Sequence, residues 1–183
     1  MRTRDYLVID LEATCDDHGA VPRGEMEIIE IGAVWVDGGT LQPRDEFQVF
    51  VRPVRHPMLT EFCRGLTSIT QAQVDVAQGF VAVNEALGEF VGGRDPLFCS
   101  WGNYDRSQFH QDATFHGVAL PLSADHWNLK QAFSEAAGSR RRFGMGAALR
   151  KLGIPLVGTH HRGIDDARNI AKLLPFVLGR ESC

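Results

Sequence analysis

Tyr6–Asp10 (YLVID) is a short run of branched apolar residues bounded by polar ones, and it reads as a buried strand. Glu27–Asp37 (EIIEIGAVWVD) is a second strand, Gly38-Gly39 a turn, and Asp45–Val51 (DEFQVFV) alternates like a third. Pro53 to Pro57 breaks that pattern, and helical spacing follows. Leu59–Gly65 is a short helix, and Thr70–Val76 opens on an N-cap residue. Phe80–Val91 (FVAVNEALGEFV) has apolar residues at helical spacing and stops at Gly92-Gly93. Pro96–Trp101 returns to strand, and Asp105–His116 reads as a helix. His126–Leu129 reads as a short strand, followed by a helix through Ala137. Met145–Leu152 and Gly163–Leu178 read as the last two helices. Hairpin-linked strands thus come first and strand–helix crossovers follow. That order predicts a mixed α/β sheet of five strands with helices on both faces.

A length of 183 residues suits a single domain over 1–183, because two would each bury a poor core. No apolar run reaches the roughly 18 residues of a membrane span. The start, Met1-Arg2-Thr3-Arg4-Asp5, lacks the apolar core of a signal peptide, so a cytoplasmic location is expected. Cys15, Cys63, Cys99 and Cys183 show no C-x-x-C spacing and read as reduced thiols. The net charge of −4 argues against a protein that holds nucleic acid by charge alone. It leaves open an enzyme whose acidic site is neutralised by a bound divalent cation.

Acidic residues mark the ends of several elements. Asp10 and Glu12 stand at i and i+2 at the end of the first strand, so they share a face. Two carboxylates side by side repel, and oxygen ligands suit Mg²⁺ or Mn²⁺. Alone, the pair also fits a solvated strand end matched by Arg or Lys. Asp105 follows the strand Pro96–Trp101 and opens a helix, as an N-cap residue also would. If the two strands are parallel neighbours, it joins the pair at the edge where open α/β sheets place ligands. On the last helix Asp166 flanks the apolar stripe Ile164, Ala167, Ile170, Ala171, Leu173 and Leu174. Asp165 falls on the opposite side with Arg168 and Lys172.

Together VIDLEATC (Val8–Cys15), WGNYDRSQF (Trp101–Phe109) and HRGIDDARNIAKLL (His161–Leu174) resemble the DEDDh 3′–5′ exonucleases, which have the ribonuclease H-like fold. The family's D-x-E is met by Asp10 and Glu12, its second aspartate by Asp105, and its H-x-x-x-x-D by His161 and Asp166. Asp-Leu-Glu-Ala-Thr-Cys, with FCRGLTSITQAQVD and GIDDARNIA, is similar to the branch holding histone-mRNA and RNA-interference exoribonucleases and bacterial sporulation-inhibitor-type exonucleases. Animal members often carry a SAP domain, and this sequence is expected to work without one.

The resemblance implies two Mg²⁺ or Mn²⁺ held by Asp10, Glu12, Asp105 and Asp166, with His161 as general base. It implies single-stranded RNA 3′ ends as partner and no membrane. Phe62 and Tyr104 would flank the terminal base, Ala13 and Thr14 would meet the terminal sugar, and Ile69 would wedge between bases. Arg140, Arg141 and Arg142 would touch upstream phosphates, although such a loop is more often simply solvated. A DNA-directed exonuclease and a binding module with a dead site remain open alternatives. His160 stands five residues before Asp165, so spacing alone does not choose between the two histidines.

Overall fold

The computed structural model describes residues 4–180. Its sheet is built on β1 (Tyr6–Ala13), which pairs antiparallel with β2 (Ile28–Val36). On the other side β1 pairs parallel with β5 (Leu97–Ser100), and β5 pairs parallel with β6 (His126–Asn128). Beyond β2 lie β3 (Pro43–Arg52) and β4 (Gln78–Gly79), giving the order β4-β3-β2-β1-β5-β6. Five strands were expected and six are present. The extra one has two residues, paired with Val51 and Arg52, and is too short to carry an alternating pattern.

Both faces of the sheet are covered, because β1 is buried on both sides and its alternate residues feed two cores. Leu7, Ile9 and Leu11 pack with Phe80, Val83 and Leu87 of α3 (Phe80–Val91) and Phe109 and Ala113 of α4 (Tyr104–His116). Val8 points the other way, to Leu129 and Phe133 of α5 (Leu129–Ala136) and Ala148 and Leu149 of α6 (Met145–Lys151). The same core takes Ile164, Ala167 and Ile170 of α7 (Gly163–Ala171). A third cluster joins Ile29 to α1 (Glu61–Thr67) and α2 (Gln71–Asp75) through Cys63, Ile69 and Val74.

The last helix is not continuous as the sequence pattern predicts. It breaks after Ala171, and α8 (Leu174–Val177) begins just beyond. Pro175 has no N–H to give the Ala171 carbonyl, and its ring crowds that oxygen. Helix α7 lies hard against β2. A Cβ added at Gly32 would sit 2.1 Å from the Gly163 carbonyl carbon and the Ile164 nitrogen. Only glycine lets the helix approach so closely. Among the described residues no helix is long and apolar enough to cross a membrane.

Candidate active site

Asp10 and Glu12 leave β1 on the face covered by α7, where strand alternation puts both. Asp105 stands in the first turn of α4, and its Oδ1 accepts the Leu11 N–H at 3.1 Å. That bond ties the start of α4 to the end of β1. Asp166 stands in the first turn of α7 and is 4% exposed. Its carboxylate accepts the His161 N–H at 3.1 Å and faces His160 Nδ1 at 2.9 Å. Asp165 turns away, accepting from Thr159 N–H and from Arg168 Nη1. The helical position of the two aspartates therefore separates them as their place relative to the apolar stripe predicts.

A cleft of about 320 Å³ opens over this group, lined by all four carboxylates and by both histidines. Oxygens of Asp10, Glu12 and Asp166 lie within 4.8 Å of one another. Burial, reinforced by Asp105, Glu12 and Asp166, pushes Asp10 well above the usual carboxylate range. Burial and the charge of Asp166 push Glu12 up to about 8. Burial lifts Asp105 to about 6, against the pull of the Leu11 N–H. Arg162, just before α7, is held by Glu30 at 3.0 Å. Converging, desolvated carboxylate oxygens are the donor set that hard divalent cations fill.

The N-terminus of α7 is fixed by a second acidic residue. Glu30 is fully buried, opposite Glu12 across the β1–β2 pair, and accepts from Arg162, Gln48 and the Gly163 N–H. Its position sets where α7 begins, and so where Asp166 points. His161 adopts a left-handed backbone, φ 63°, and its ring stacks on His160 with centroids 4.0 Å apart. Burial and the neighbouring His160 hold the His161 ring below its ordinary pKa, with Asp166 opposing them.

The residues expected to touch substrate divide. Ala13 and Tyr104 line the cleft, and burial keeps the Tyr104 hydroxyl protonated. Ile69 does not: it is fully buried against Ile29, Leu59 and Val74, outside the cleft lining. Thr14 is also withdrawn, because it is buried and its hydroxyl accepts the Glu27 N–H at 2.9 Å. Phe62 is exposed but borders a separate hollow with Asp16, Asp17, His18 and Glu61. Arg140, Arg141 and Arg142 are exposed, on the loop leading to Met145 in the cleft wall. Sequence reasoning misses Leu66, Met26, Trp101 and Met145, which all border the cleft. Leu66 had a usable signal, since it lies one helical turn after Phe62 in α1. A larger hollow of about 580 Å³ behind α4 contains Arg106, His110 and His126 but none of the four carboxylates.

Comparison with known proteins agrees with this geometry. The RNase T exonuclease family matches residues 7–174. Mouse ERI1 exoribonuclease 3 is 36% identical over 180 residues, covering 92% of this chain and 52% of its own length. The chain thus spans about half the length of such curated relatives. The probable 3′-5′ exonuclease KapD of Bacillus subtilis is 31% identical, covering 97% of this chain and 86% of itself. The nuclease domain of 3′hExo, a DEDDh family member solved bound to rAMP, superposes with a TM-score of 0.90. Its identity is 28%, over 97% of this chain and 93% of that one. Exonucleases of this kind depend on divalent metal, which the carboxylate set here fits. The relatedness runs from the first strand to the last long helix, and the chain belongs to the DEDDh family of 3′–5′ exonucleases.

Proposed function

We propose that the chain removes nucleotides one at a time from single-stranded RNA 3′ ends, releasing nucleoside 5′-monophosphates. The observation that carries this reading is the meeting of Asp10, Glu12, Asp105 and Asp166 in one open cleft. The rAMP held by the 3′hExo nuclease domain and the exoribonuclease names of several relatives support RNA as substrate. When bound, two Mg²⁺ or Mn²⁺ held by these carboxylates would offset the charge that grows on the phosphate.

The chain's own groups supply the rest. His161 takes the proton of the attacking water at a ring nitrogen, and burial keeps that ring neutral and ready to accept it. The strained φ of His161 holds its ring at the cleft, as strained backbone at functional sites does. Asp166 is oriented by the His161 N–H, and Asp105 by the Leu11 N–H. Tyr104 and Leu66 form walls between which a terminal base can lie. The exposed Arg140–Arg142 loop attracts the phosphates upstream. A reducing, cytoplasmic setting suits the free thiols of Cys15, Cys63 and Cys99.

Digestion of matched 5′-labelled RNA and DNA oligonucleotides tests the reading. A ladder shortening from the 3′ end of RNA is expected, and a 3′-phosphate should block it. Endonucleolytic fragments would overturn the proposal, and a marked preference for DNA would move it to a DNA-directed enzyme. His161→Ala should cut the turnover number by about two to four orders of magnitude, the usual worth of a general base. His160→Ala should stay within a few-fold of the parent if its ring, stacked on His161, does no more than hydrogen-bond Asp166. The reverse result would assign the base to His160. Tyr104→Ala and Leu66→Ala should each weaken oligonucleotide binding by about 1–3 kcal/mol. Unchanged Michaelis constants in both would leave these side chains as mere cleft lining.

A further inference from the structure

Two thiols meet beside the cleft without taking part in the mechanism above. Cys15 follows the end of β1, is partly exposed and lines the cleft. Cys63 lies in the first turn of α1 and is fully buried. Cys63 Sγ lies 3.6 Å from the carbonyl of Ala13, two residues before Cys15. One hydroxyl holds the two segments together. Thr60 Oγ1 donates to the Cys15 carbonyl at 2.7 Å and accepts the Cys63 N–H at 3.0 Å. Cys15 further packs against the apolar cluster that contains Cys63. The contact is therefore anchored from both chain segments.

We propose that Cys15 and Cys63 form a reversible disulfide on exposure to a hydroperoxide, and that this bond shuts down the neighbouring nuclease site. Cys15 Sγ, the one within reach of solvent, attacks a peroxide oxygen. The O–O bond breaks, an alcohol or water leaves with the thiol proton, and Cys15 becomes a sulfenic acid. Cys63 Sγ then attacks Cys15 Sγ. The S–S bond forms, the S–O bond breaks, and water leaves with the Cys63 proton. The two thiols give up two electrons and the peroxide accepts them.

The consequence follows from where the two residues sit. A disulfide holds its two sulfurs at about 2.05 Å with a fixed torsion. One side of that pull is the segment just after Glu12 and Ala13. The other is α1, which carries Leu66 on the cleft wall. A dithiol reductant should reverse both the bond and the loss of activity. The effect on activity rests on the nuclease reading above, whereas the chemistry of the pair does not.

The test treats the full chain with hydrogen peroxide and follows two readouts. Thiol counting and non-reducing peptide mapping should show loss of two thiols and a Cys15–Cys63 linked peptide. Nuclease activity with Mn²⁺ should fall by most of its value and return with dithiothreitol. Cys63→Ser should keep its basal activity and resist reversible loss, with Cys63→Ala as the check against a folding defect. Both Cys63 variants should also trap Cys15 as a sulfenic acid that a dimedone probe labels. A linkage through Cys99 or Cys183, or no linked peptide, would overturn the proposal whatever the activity does. A linked peptide with unchanged activity would overturn the shutdown.

Discussion

Asp10→Asn is expected to abolish turnover and, in metal-free protein, to raise the melting temperature. Turnover should fall by more than about 10²-fold, the range for losing one preorganised electrostatic group. Stability should move the other way because Asp10 sits among Glu12, Asp105 and Asp166, and burial makes its charge unwelcome. Asn keeps the shape and removes the charge. For a chain of this size each kcal/mol gained appears as about 2–4 °C. Metal should reverse the ranking. Saturating Mn²⁺ at about 100 times the dissociation constant adds about 2.7 kcal/mol to a chain that binds it, and Asp10→Asn should gain less.

The same group fixes the pH dependence. Glu12 is pushed up to about 8 and Asp105 to about 6 in the folded chain. An acid whose folded pKa is raised binds its proton more tightly when folded. Its contribution to stability is complete below the ordinary carboxylate value of about 4 and is lost as pH rises through the folded value. Metal-free protein should therefore melt lower at about pH 8 than at about pH 5. Glu12→Gln should flatten the upper part of that slope. Calorimetry with EDTA reads the effect directly, and an equal melting temperature at both values would remove the crowded-carboxylate account.

Gly32→Ala is the second large effect expected, and it reaches the site from behind. The new methyl would collide with backbone atoms of Gly163 and Ile164, which cannot rotate away as a side chain could. Either β2 or the start of α7 must shift. Overpacking of this kind costs about 3 kcal/mol or more. Because Asp166 lies in that first turn, activity should fall further than the loss of folded protein explains. Urea denaturation with a metal titration separates the two. Unchanged stability would mean that α7 can retreat, and the tight approach would lose its importance.

Much of this was legible in the residues. Asp10 and Glu12 could be placed on one face because a strand has a period of two, a rule that needs no tertiary information. Asp166 was separated from Asp165 by a helical stripe of Ile164, Ala167 and Ile170, and these three are buried. What failed depended on how α1 and its neighbours fold back. Phe62 lies in the first turn of a short helix and Ile69 just beyond its end, and nothing local says which of them the third cluster swallows. The Thr14 hydroxyl looked free until Glu27 N–H, thirteen residues away, claimed it. The role of Glu30 was invisible too, since its partner Arg162 is 132 residues distant. The break before Pro175 was missed as well, although a proline inside a helical pattern is a local sign of it.

The Glu30–Arg162 anchorage also bears on when the cleft can first exist during synthesis. Asp10, Glu12 and Asp105 leave the ribosome before α7, which is seated only after Arg162 reaches Glu30. Until then the fourth carboxylate has no fixed place. A ribosome-bound chain stopped before Gly163 should therefore show no nuclease activity.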